Sequence, residues 1–170
     1  MKQKPYDPMF GERYHRKSTR QPNHHYDWAG AYLITICSEH RKSLFEIAEL
    51  KTILRETWES LPARFPVTLD EFVIMPNHVH FILRMHGHLE EPIPLWRIIG
   101  AYKSIAAVTW LKYIKETNAN YPGIIWHRGY DDRSIRNARQ LEAYRQYIRD
   151  NPTKLRPEES PDNNAGDARG

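Results

Sequence analysis

Four residues of this 170-residue chain have the types and the spacing to do chemistry together: His78, His80, Tyr147 and Asn151. The histidines sit in Phe72-Val73-Ile74-Met75-Pro76-Asn77-His78-Val79-His80-Phe81-Ile82-Leu83, two apolar runs joined by Met-Pro-Asn. Strand side chains alternate faces. On a strand beginning at His78, both imidazoles therefore project from one side, and Val79, Phe81 and Leu83 from the other. Neutral imidazole is the commonest protein ligand for divalent ions, so such a pair is half of a metal site. A lone His-x-His is more often two surface histidines at a strand end; a third ligand and a reactive group must decide. Residues 138–152 (ARQLEAYRQYIRDNP) offer both. At helical pitch Leu141, Tyr144 and Ile148 share the inward face, which makes Tyr144 a packed aromatic. Tyr147 and Asn151, four apart, lie along its flank. There a half-exposed phenol has its hydroxyl free to act, and a carboxamide oxygen one turn on suits a hard cation. Taken alone, the same helix also reads as a boundary tyrosine followed by an Asn C-cap before Pro152.

The elements that must position these groups follow from the apolar pattern. Residues 31–37 (AYLITIC) form a short β-rich run buried on both faces. Residues 45–60 place Ile47, Leu50, Ile53, Leu54 and Trp58 at helical spacing, with Pro62 past the end. Strands over 67–75 and 78–85 make a hairpin about Pro76-Asn77. The longest helix runs over 95–117, with a bend expected at Gly100 and no clean single stripe, so that both sides pack. After a loop, Ile124 to His127 begin a strand that 128–136 continue irregularly. Asn137 caps a last helix over 138–150. The order β-α-β-β-α-β-α predicts an α+β fold, the ferredoxin-like split βαβ sandwich, with an antiparallel sheet, helices on one face and an added C-terminal helix. The hairpin is expected at the sheet centre, where His78 and His80 have the firmest support.

Length allows one domain, and 40% hydrophobic residues with five Trp and ten Tyr exclude a disordered chain. Three regions are expected: an irregular basic arm over 1–28, a globular domain over 29–155 and a disordered polar tail over 156–170. No apolar run reaches membrane-spanning length and no signal peptide is recognisable. The single Cys37 excludes an internal disulfide, so the expectation is a cytoplasmic protein, nucleoid-associated if bacterial. A net charge of +4 suits a phosphate-rich partner without requiring one.

Five segments together carry a family resemblance: DWAGAYLITI (27–36), VIMPNHVHFIL (73–83), IIGAYKSIAAVTW (98–110), WHRGYDDRSIRN (126–137) and YIRDNP (147–152). The chain resembles the single-tyrosine HUH transposases, and within them the REP-associated tyrosine transposases, over roughly residues 10 to 155. The resemblance implies the same ferredoxin-like fold. It also implies a metal-dependent single-strand DNA endonuclease and strand transferase, acting beside hairpin DNA through a 5′-phosphotyrosine. Carried over position by position, His78 and His80 match the metal-binding histidines, Asn151 the third ligand and Tyr147 the nucleophile. Mg²⁺ or Mn²⁺ is the implied cation. Asp132 falls where many members carry an acid, while Arg133 stands where many have His. Arg136 and Asn137 match a strand-to-helix link, and Lys103 a Lys-Ser that is a candidate DNA contact. Arg128, Arg133 and Arg136 are candidates to grip phosphate, and Trp126 or Tyr130 to stack an unpaired base or pack in the core. Relatives include monomers and dimers that cleave in cis or in trans. Two other readings are a domesticated hairpin-binding protein that no longer cuts and a metal-binding structural protein.

Overall fold

The computed structural model describes residues 30–87 and 93–152. The basic arm, the polar tail and residues 88–92 of the loop before the long helix lie outside the described residues. The elements are β1 Gly30–Cys37, α1 Ala48–Glu59, β2 Val67–Met75, β3 His78–Met85, α2 Leu95–Thr117, β4 Asp131–Ile135 and α3 Ala138–Asp150. One four-stranded sheet runs in the order β2-β3-β1-β4, every neighbouring pair antiparallel. This is the ferredoxin-like order, α+β, with one helix added. The hairpin is not wholly central as expected: β1 returns against β3 and leaves β2 at the edge. Of the two hairpin strands, the histidine strand β3 is the one with two neighbours.

Strand alternation sorts the sheet into two unlike faces. Tyr32, Ile34 and Ile36 of β1 and Val79, Phe81 and Leu83 of β3 pack with α1 and α2 in the main core. In α2 the buried positions Leu95, Ile98, Ile99, Tyr102, Ala106 and Trp110 form one stripe at helical spacing. Val108 and Leu111 are exposed, so the helix packs on one side and not on two as expected. It also runs unbroken through Gly100, which faces open space. Helix α1 starts later than its apolar pattern suggested. Leu44–Glu46 turn as a 3₁₀ segment instead, because Phe45 is fully buried and donates its N–H to the Pro76 carbonyl at the hairpin tip (2.9 Å).

The strand expected over 124–136 is two separate pairings. Trp126 bridges Ser38 alone, and β4 begins only at Asp131. Between them, Lys103 of α2 places its ammonium on the carbonyls of His127 (2.7 Å), Arg128 (3.2 Å) and Gly129 (3.5 Å). Those carbonyls are turned to a cation and cannot serve a sheet ladder.

Helix α3 lies on the opposite face, so helices cover both sides of the sheet rather than one. Ile148 is buried against Leu33 and Ile82, with Val73, Ile135, Leu141 and Tyr144 around them. A β-bulge in β2 completes the dock. Leu69 pairs with Leu83 and Phe72 with Phe81, so both Asp70 and Glu71 stand opposite Ile82. The extra residue turns both carboxylates toward α3. Arg145 grips Asp70 in a bidentate fork (Nε–Oδ1 2.8 Å, Nη2–Oδ2 2.7 Å), Arg84 adds a third bond (3.0 Å), and Arg149 meets Glu71 (Nε–Oε1 2.9 Å). The Arg145 fork first, then burial opposing it, leaves the Asp70 carboxyl below the usual carboxylate range. The Asn137 side chain accepts from the Gln140 N–H (2.8 Å), the expected N-cap of α3.

Candidate active site

The face under α3 carries the chemistry. His78 and His80 project together from β3, their ring centroids 4.6 Å apart. Each ring has its Nδ1 engaged: His78 with the Asn77 carboxamide oxygen at 2.7 Å, and His80 with the Thr35 hydroxyl at 2.8 Å. A carboxamide oxygen only accepts, so His78 carries its proton on Nδ1 and a lone pair on Nε2. A threonine hydroxyl can take either part. With His80 Nδ1–H donating to it, Nε2 of His80 also presents a lone pair, the arrangement metal-binding histidines use. Burial, and then the Arg41 charge, lower the His78 pKa. Burial first and the neighbouring His78 second push His80 down to about 4. Both rings are thus neutral near neutrality, the form that binds cations.

Tyr147 comes to this pair from its own chain. Its ring lies 5.4 Å from His80, and its hydroxyl is 3.5 Å from Nε2, a long contact with the phenol 40% exposed. Burial of Ile148 sets the phase of α3 that turns its neighbour Tyr147 toward the sheet. Asn151 follows α3 as a buried C-cap and donates Nδ2–H to the Tyr147 carbonyl (3.0 Å). Around His78, His80 and Tyr147 opens a cleft of about 940 Å³, walled also by Thr35, Arg41, Asp131, Arg133, Arg136 and Tyr144.

The other expected residues divide. Arg133 and Arg136 line the cleft, whereas Arg128 and Tyr130 are not in its wall. Tyr130 packs against the main core. Trp126 does the same: it lies edge-on to Phe45 (5.2 Å) and donates its Nε1–H to the Lys103 carbonyl (3.0 Å). Of its two expected uses, core packing is the one found. Lys103 is turned under the 127–129 loop rather than out to solvent, and burial lowers its pKa despite the opposing pull of Glu39. Asp132 also lines the cleft, although its pairing with Ile34 sets its Cβ on the α1–α2 side of the sheet. It is Asp131, opposite Thr35, and Arg133, opposite Leu33, that share the histidine face.

Sequence reasoning passed over Thr35, Arg41, Asp131 and the Asp70–Glu71 bulge. A threonine amid Tyr-Leu-Ile and Ile-Cys was a visible signal, since a hydroxyl in so apolar a strand needs a buried partner. Among the described residues no three His, Cys, Asp or Glu side chains cluster to hold a metal. The two imidazoles line the cleft, whereas Asn151, at the end of α3, is not in its wall.

Comparison with known proteins bears on the family and the fold. The family model described as "Transposase IS200 like" matches residues 27–151. A protein of uncharacterised function from Haemophilus influenzae is 28% identical over 166 residues, covering 82% of this chain and 89% of its own. Among solved structures, a REP-associated tyrosine transposase bound to a REP hairpin superposes with a TM-score of 0.59 at 18% identity, over 79% of this chain and 73% of that one. A transposase-like chain from Deinococcus radiodurans R1 gives a TM-score of 0.47 at 19% identity, over 77% and 97%. No helix among the described residues is long and apolar enough to cross a membrane. Matched over residues 27–151, this chain belongs to the IS200-like transposase family.

Proposed function

We propose that the chain is a metal-dependent single-strand DNA endonuclease and strand transferase, cutting beside hairpin DNA through a 5′-phosphotyrosine. One observation carries the reading: a tyrosine hydroxyl and two neutral imidazoles of the same chain meet in one open cleft, 3.5 Å apart at the closest pair. His78 and His80 would hold Mg²⁺ or Mn²⁺, with Asn151 offering the third donor. Bound there, the cation supplies Lewis-acid polarisation of a phosphodiester.

The chain's own residues account for the rest. Asn77 fixes the tautomer of His78, and Thr35 can accept from Nδ1 of His80, which would leave an Nε2 lone pair on each ring. Helix α3 brings the Tyr147 hydroxyl over His80. In the reaction an Oη–P bond forms and the P–O3′ bond breaks. The phenol loses its proton and O3′ gains one, leaving a free 3′-hydroxyl. One ester replaces another, so the step can run backward to join strands without an energy source. Because the hydroxyl faces histidines of its own chain, cleavage in cis, by a monomer or by each chain of a homodimer, is the arrangement this geometry favours. The hairpin DNA is taken by analogy with the solved relative, which is bound to a REP hairpin.

The test is a denaturing gel of the protein incubated with 5′- or 3′-labelled hairpin DNA carrying a single-stranded flank, with Mn²⁺. A covalent adduct on the fragment 3′ of the cut, lost in Tyr147→Phe and in His80→Ala, is expected. Salt-sensitive binding with no adduct in the wild type would replace this reading with that of a hairpin-binding protein.

A further inference from the structure

The turn after β1 plays no part in the reaction as proposed, yet its backbone is unusual. His40 and Arg41 both hold left-handed conformations, φ 52° and 53°, which residues with a Cβ seldom adopt. The surroundings enforce them. Ser38 is fully buried, donates its N–H to the Asn77 carbonyl (2.8 Å) and its hydroxyl to the Lys42 carbonyl (2.6 Å). On the far side, Phe45 is tied to Pro76 (2.9 Å). Strain held this firmly is characteristic of places where it aims a side chain.

Here the side chain is Arg41. It lines the cleft with His78, His80 and Tyr147, and its charge is felt at His78. No carboxylate among the described residues lies in ion-pair range of its guanidinium. Two arginines of α3 are arranged otherwise: Arg145 and Arg149 are both taken up by acids of β2. An exposed guanidinium beside the histidines, with no carboxylate partner among the described residues, has the planar donor fork that phosphate oxygens match.

We propose that Arg41 is a phosphate-binding residue of the site, its guanidinium holding the non-bridging oxygens of the phosphodiester from the His78 end of the cleft while Tyr147 attacks over His80. The proposal rests on the reading of the cleft as a phosphodiester site. It adds a contact that does not depend on the metal.

Replacing Arg41 with glycine separates the side chain from the strain, since glycine adopts a left-handed backbone freely. Binding of a fluorescein-labelled hairpin with a single-stranded flank is measured in EDTA across a salt series, with full-length wild type, Arg41→Gly, Arg41→Lys and Lys42→Ala. Arg41→Gly should melt no lower than wild type and bind more weakly. The slope of log K against log salt should fall by about 0.7 for the one lost single-strand phosphate contact. Arg41→Lys should keep the slope but form the Mn²⁺-dependent adduct about tenfold more slowly at saturating DNA, because an ammonium lacks the fork. An unchanged slope in Arg41→Gly, or an equal fall in Lys42→Ala, overturns the proposal. If wild type makes no adduct, the cleavage reading falls while the EDTA series still decides on Arg41.

Discussion

Helix α3 has a dock of its own, and its strength can be worked out. Ile148 is 1% exposed, packed against Leu33 and Ile82, while Leu141 and Tyr144 beside it are only partly buried. Cutting Ile148 back to alanine removes the one fully buried anchor. Isoleucine-to-alanine changes in cores cost about 2–5 kcal/mol, and a small cluster with half-exposed neighbours can close around the gap, so the lower part of that range applies, about 2–3 kcal/mol. At about 1.4 kcal/mol per tenfold, the undocked population should rise roughly thirty- to hundredfold. A helix of 13 residues does not persist alone in water, so undocking here means unfolding of α3. The exposed Arg149–Glu71 pair adds little, and the part-buried Arg145–Asp70 fork holds one turn of α3 without filling the space Ile148 occupies. Native-state hydrogen exchange on Ile148→Ala reads this directly. Amides of α3 should lose protection by that factor, while those of β1 and β3, whose main core lies on the other face, keep theirs. A uniform loss across helix and sheet would refute the idea of a separate dock, and unchanged α3 protection would refute the anchor.

Three further outcomes are expected. Thr35→Val removes the partner of His80 Nδ1 and should weaken Mn²⁺ binding, followed by electron paramagnetic resonance, by about 10- to 100-fold; equal affinity would show that the hydroxyl does not orient the ring. The fold holds His80 neutral, with its pKa lowered from 6.5 to about 4. Its stabilising contribution is therefore whole above 6.5 and drains away as pH falls through that window. Urea midpoints should fall less between about pH 7 and about pH 4.5 in His80→Gln than in wild type, and parallel curves would count against it. Lys103→Met strips the cation from three carbonyls and should cost about 1–2 kcal/mol in urea unfolding without altering the salt slope of DNA binding; a changed slope would restore it as a DNA contact.

Much of this architecture was legible because alternation and helical spacing report burial directly. The limits of β2, β3, α2 and α3 fall where the apolar pattern put them, and the pairing of His78 with His80 on one face needed only the two-residue period of a strand. Which side of the sheet α3 would choose was not legible. Leu33 and Ile82 are as apolar as the residues of the main core, and a strand apolar on both sides does not say which face meets which helix. Asp132 shows the same limit at one residue: Asp131 and Asp132 read alike and both line the cleft, and only the register with Thr35 and Ile34 sets the first Cβ on the histidine face and the second on the other. Arg41 was hidden for another reason. Its placement comes from backbone angles that Glu39-His40-Arg41 would not adopt without Ser38 and Phe45 tied to the hairpin tip.

The doubled acid in β2 has a consequence for how this chain can vary. Deleting either Asp70 or Glu71 would bring Leu69 and Phe72 into an unbroken ladder with β3, and a smoother edge strand would result. Only one carboxylate of β2 would then remain for Arg145 and Arg149, and the helix that bears the phenol would keep a single ionic tie beside its Ile148 contact. At this spot loss of one residue does more harm than exchange of one, and the more regular sheet is the less useful one.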